Sequence, residues 1–138
     1  MPIDKPAPQR GTVADTINSR GTILVDIDST LFGDAGDKLW KKDQKKYVEK
    51  MKSDPKYRNL ELNEPLTKQL KTLRDAGYDI KLWTDRRTEL SRVTIENLQK
   101  YGLTIGKGEG DLFSELITGG AAGRKKKFNV PGNVVAII

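Results

Sequence analysis

Apolar and polar positions along this chain switch between two periods. Residues 22–27, TILVDI, are β-branched and almost continuously apolar. That is the pattern of a strand covered on both faces. Residues 78–84, YDIKLWT, alternate and are rich in strand formers, which predicts a second strand ending at Thr84. LFSELIT at 112–118 and NVVAII at 133–138 predict a third and a fourth.

Helical spacing fills the intervals. In KLWKKDQKKYVEKMKSD, Tyr47, Val48 and Met51 follow Trp40 by seven, eight and eleven positions, one apolar face among lysines. Trp40 and Tyr47 are expected to pack in a core or beneath a cap. SDPKYRNLELNEP reads as a loop punctuated by Pro55 and Pro65. Pro65 opens a second helix with Leu66, Leu70 and Leu73 on one side, and Gly77 closes it. RTELSRVTIENLQKYG gives a third, with Leu90, Val93, Leu98 and Tyr101 facing inward and Gly102 as its stop.

Strands alternating with helices predict an α/β fold: a three-layer Rossmannoid sandwich built on a parallel sheet. Residues 1–20 have three prolines in their first eight positions and no apolar periodicity, so a flexible arm is expected ahead of a domain at 21–138. A length of 138 residues suits one domain.

Composition narrows the chemistry. There is no cysteine and no histidine. Disulfides, a thiol nucleophile, the usual zinc sites and a Ser-His-Asp triad are excluded. Carboxylates, lysine, arginine, hydroxyls and a hard metal ion remain. The net charge of +6 suits an anionic partner. Between residues 38 and 58 nine basic residues face three acidic ones, so this helix is a candidate for nucleic-acid contact as well as a solvated face. No stretch approaches the roughly 20 apolar residues of a membrane span, and the N-terminus lacks the apolar core of a signal peptide. The expected compartment is the cytoplasm, and no membrane partner is expected.

In a parallel sheet, ligands bind beyond the carboxyl ends of the strands. Asp26 and Asp28 fall at the end of the first strand, and Thr84, Asp85 and Arg86 at the end of the second. The D-x-D spacing puts both carboxylates on one face of an extended segment. Two carboxylates that close repel each other, and Mg²⁺ would relieve the repulsion. One carboxylate could attack a phosphoryl group while the other moves protons. Thr84 and a lysine from the basic loop at 124–127 would bind the phosphoryl oxygens.

The stretch ILVDIDSTLF resembles the first motif of the haloacid dehalogenase-like superfamily, and DIKLWTDRR resembles its second. Their separation fits a small cap-like helical insertion at 33–64. The resemblance implies a Mg²⁺-dependent phosphohydrolase working through an aspartyl-phosphate. Asp26 would be the nucleophile and Asp28 the general acid/base. The Asp26 carboxylate and the backbone carbonyl of Asp28 would hold the metal. Ser29, Thr30, Asp85 and Arg86 would line the substrate loop, with Thr30 tightening it by hydrogen bonding. Thr84 would bind phosphate together with a lysine at 125–127, Lys125 and Lys127 among the candidates. Arg86 so soon after the threonine is similar to small phosphatases of the polynucleotide 3′-phosphatase type, which implies a nucleotide or a nucleic-acid end as substrate.

Two features depart from the family pattern. Ser29 stands where glycine is usual. The acids that complete the family's metal site would follow VVAII, where the sequence stops at Ile138, and Glu109 and Asp111 precede the lysine cluster instead. These features carry a rival expectation: a non-enzymatic structural, assembly or nucleic-acid-binding protein on the same fold, with an incomplete metal site.

Overall fold

A computed structural model of the protein describes residues 20–35, 38–120 and 133–138. Four strands form one parallel sheet: β1 (Thr22–Val25), β2 (Asp79–Trp83), β3 (Glu115–Ile117) and β4 (Val134–Ile137), in the order β3-β2-β1-β4. Each strand stops short of its apolar run in the sequence, so Asp26 and Thr84 lie one residue beyond their strands. β1 and β2 are in register from Thr22 opposite Asp79 to Val25 opposite Leu82. The chain segments that follow them therefore emerge side by side.

The expected long helix after β1 is three short ones: α1 (Leu39–Lys42), α2 (Gln44–Ser53) and α3 (Pro55–Arg58). Two aspartates break it. The Asp43 carboxylate accepts the Lys46 amide hydrogen and starts α2, and that of Asp54 accepts the Lys56 amide and starts α3. Both are N-cap geometries, which need an extended residue and so interrupt helix. The loop expected at 53–65 therefore holds a helical turn, with Pro55 at its first position.

α4 (Glu64–Asp75) has Pro65 in its first turn and Asn63 as its cap. Gly77 follows with a φ of 103°, a left-handed position that glycine adopts without steric cost. A 3₁₀ turn at Thr88–Leu90 leads into α5 (Ser91–Gln99).

The packing explains the apolar spacing. Ile23, Val25, Ile80 and Leu82, alternate residues of β1 and β2, share a buried cluster with Leu70 of α4 and Leu98 of α5. A second cluster joins Tyr47, Val48, Met51 and Tyr57 to Leu90 and Val93. It presses α2 and α3 against α5 and fixes the 39–58 segment over the carboxyl side of the sheet. Trp40 corrects the sequence expectation: it is 38% exposed, because the break at Asp43 separates it from the buried face of α2. Among the described residues no helix is long and apolar enough to cross a membrane. The basic loop with Lys125 and Lys127, and the arm before residue 20, lie outside the described residues.

Candidate active site

Beyond β1 the chain turns sharply. The amides of Thr30 and Phe32 both donate to the Ile27 carbonyl, at 3.3 and 2.9 Å. Ile27, Leu31 and Phe32 are buried beneath this turn, which leaves Asp26, Asp28 and Ser29 at its rim. Ser29 has a φ of 64°. A non-glycine residue in that conformation costs about 1 kcal/mol, which glycine would avoid. The Thr30 carbonyl accepts a hydrogen bond from Asn63 Nδ2 at 3.2 Å, tying the turn to the start of α4. Thr30 thus tightens the loop through its backbone.

Asp26 is half-buried. Its Oδ1 accepts the Ile27 amide hydrogen at 2.8 Å, and its own amide donates to the Ile138 carbonyl at 2.9 Å. Thr84 leaves β2 alongside. It is 1% exposed, and its Oγ1 accepts the Arg86 amide hydrogen at 3.1 Å. Asp85 points outward and is exposed.

Arg86 turns inward and is 3% exposed. Its Nε and Nη2 donate to the two carboxylate oxygens of Asp28, at 3.0 and 2.8 Å. Nη1 donates to Thr94 Oγ1 at 2.9 Å and to Asn97 Oδ1 at 3.1 Å. The Tyr47 hydroxyl lies close enough to the guanidinium for each to act on the other's ionisation. All three of its nitrogens are engaged. A buried cation is stable only when paired and saturated in this way. Burial works against its charge, but the Asp28 carboxylate and the hydrogen bonds Arg86 donates to it outweigh that and hold Arg86 above its ordinary pKa. Tyr47 is also pushed up, first by burial and then by the negative charge of Asp28.

This node links four parts of the fold. Asp28 comes from the turn after β1, Arg86 from the end of β2, Thr94 and Asn97 from α5, and Tyr47 from α2. Asn97 extends it by donating from Nδ2 to the Arg58 carbonyl at 3.2 Å. Thr94 passes its hydroxyl hydrogen to the Leu90 carbonyl at 2.9 Å. The sequence reading missed Tyr47, Thr94 and Asn97 as site residues. Their signal was present: Thr94 and Asn97, three apart, share the buried side of a helix whose other inward residues are apolar.

The expected residues are thus partly assembled. Asp26, Asp28 and Thr84 meet at one edge. Arg86 joins them from below, with its donors directed at protein acceptors instead of at the solvent side where a substrate would lie. A small cleft opens above Asp28, beneath α1 and α2. Asp34, Lys38, Trp40 and Tyr47 help to line it.

The donor set falls short of the expected Mg²⁺ site. Both carboxylate oxygens of Asp28 face Arg86. Among the described residues no three acidic side chains gather where they could hold a cation. Mg²⁺ tolerates few protein ligands when substrate phosphates and waters complete its shell. Even so, Asp26 and a main-chain carbonyl alone make a sparse set. Compared with protein-family models, curated proteins and solved structures, the chain matches none.

Proposed function

We propose that this chain is a phosphohydrolase acting on a phosphomonoester, with Asp26 as its nucleophile. The observation that supports the reading is the meeting of Asp26, Asp28 and Thr84 beyond two adjacent parallel strands. A ligand at that edge meets the Asp26 carboxylate of one strand, with Thr84 buried behind it at the end of the next. In the first step an Asp26 oxygen bonds to phosphorus and the ester P–O bond breaks. The leaving oxygen takes a proton from a water, because Asp28, its carboxylate paired with Arg86, has none to give. The hydroxide left behind then attacks the phosphorus of the aspartyl-phosphate and releases phosphate and the Asp26 carboxylate. Arg86 acts through Asp28 as a positioning residue. In this reading residues 33–64 are a cap-like insertion, a further layer completes a three-layer sandwich, and the protein works in the cytoplasm.

One observation favours a second reading. Asp28 spends both oxygens on a buried arginine, as a structural ion pair does. The fold would then serve binding or assembly without turnover. Hydrolysis of p-nitrophenyl phosphate separates the two, measured with and without Mg²⁺ for the wild type and Asp26→Asn. Turnover that disappears in the variant is the expected result. Equal background rates in both proteins, with and without the metal, rule out the enzymatic reading.

A further inference from the structure

The net charge of this protein is local. Nine of its 25 basic residues and three of its 19 acidic ones lie at positions 38–58. That excess of six equals the charge of the whole chain, +6, so the remaining residues balance. Within this segment Lys50, Lys52 and Arg58 pair with Asp54, Glu89 and Glu96. Lys38, Lys41, Lys42, Lys45 and Lys46 are exposed and make no ion pair among the described residues. The one acid among them, Asp43, is turned onto the Lys46 amide as a helix cap.

One of these lysines lies over an exposed aromatic ring. Trp40 is 38% exposed, and Lys41 Nζ lies 5.1 Å from its centroid. Lys38 and Trp40 also line the cleft that opens over Asp28. A cationic surface with an exposed indole, leading to a phosphoester site, fits a chain of phosphates carrying unstacked bases. A membrane surface fits less well, because the apolar side of α2, Tyr47, Val48 and Met51, is buried in the protein and has nothing to insert.

We infer that α1 and the first turn of α2 bind single-stranded nucleic acid. The lysines at 38, 41, 42, 45 and 46 follow the phosphates, Trp40 stacks on a base, and the strand's terminal phosphate points to the cleft at Asp28. The last element rests on the phosphohydrolase reading; the binding surface does not. The surface reads charge and stacking, so DNA and RNA of one sequence should bind alike.

Fluorescence anisotropy of a labelled 12-nucleotide single strand, added to the full chain, tests this. With five lysines engaged, affinity should fall roughly 100-fold between about 50 and about 200 mM salt. Lys41→Gln/Lys45→Gln/Lys46→Gln should weaken binding at least tenfold at low salt and lower the logarithmic salt slope by about 2. Trp40→Ala should weaken it about tenfold with the slope unchanged. All four residues are exposed, and circular dichroism checks that each variant is folded. The inference is overturned if the triple variant binds as tightly as the wild type, or if phosphatidylserine vesicles bind the protein and the oligonucleotide does not. Binding without hydrolysis would discard the enzymatic reading alone, and hydrolysis without binding would discard this inference alone.

Discussion

Arg86 and Asp28 form a two-pronged ion pair, Nε to Oδ2 at 3.0 Å and Nη2 to Oδ1 at 2.8 Å, across 58 positions of sequence. The arginine side chain is 1% exposed and that of the aspartate 29%. This contact joins the turn after β1 to the end of β2. Removing Arg86 leaves the partly buried Asp28 charge without its match and Thr94 and Asn97 without their donor. Arg86→Ala should lower stability in urea by about 3 kcal/mol. Arg86→Lys keeps the charge but not the planar fork, and should recover less than half of that loss. A loss below about 1 kcal/mol in Arg86→Ala would mean that the pair does not brace the edge.

Asn97 serves two elements at once, accepting from Arg86 and donating to the Arg58 carbonyl. Asn97→Ala leaves both groups short of a partner and should cost about 2 kcal/mol. Thr94→Val removes one acceptor of Arg86 while keeping the shape of the side chain, and should cost about 1 kcal/mol. Because both act on one guanidinium, the double variant should depart from additivity by at least 0.5 kcal/mol. Strict additivity in chemical denaturation would place the two residues in separate environments.

Tyr47 gives a signature in alkali. Its folded pKa is raised above the ordinary value of about 10, by burial first and by Asp28 second. The unfolded chain therefore releases the phenolic proton at lower pH than the folded one. The contribution of Tyr47 is fully present below about pH 10 and is lost as pH climbs further, so stability falls with a slope set by one proton. Tyr47→Phe should flatten that fall above pH 10. Denaturation midpoints at pH 7 and pH 11 for both proteins check it. A wild type and variant that decline in parallel would place the alkaline sensitivity elsewhere.

Gly21 lies where β1 begins, with a φ of 147°. A Cβ built there would come within 2.6 Å of Val135 Cγ1 on β4. Gly21→Ala should cost about 2 kcal/mol, part from the backbone and part from the clash. Adding Val135→Ala removes only the clash, so thermal melts of the double variant should show a partial recovery. Full recovery would mean that the backbone conformation carries no cost.

Much of this protein is legible in its sequence. Hydrophobic period orders the strands and helices because burial acts on every second residue of a strand and every third or fourth of a helix. It places Asp26 and Thr84 at strand ends, and the absence of cysteine and histidine sets the available chemistry. Tertiary structure decides what these side chains meet. Arg86 reads as a substrate-loop residue after a threonine, yet it folds inward, because Asp28, Thr94, Asn97 and Tyr47 converge on it from distant positions. Trp40 reads as part of an apolar face, yet it is exposed, because Asp43 caps a new helix and changes the register of the face. Local pattern fixes periodicity and the faces it creates. Where a charge finds its partner is set by contacts between segments far apart in the chain, and only the packed fold brings those together.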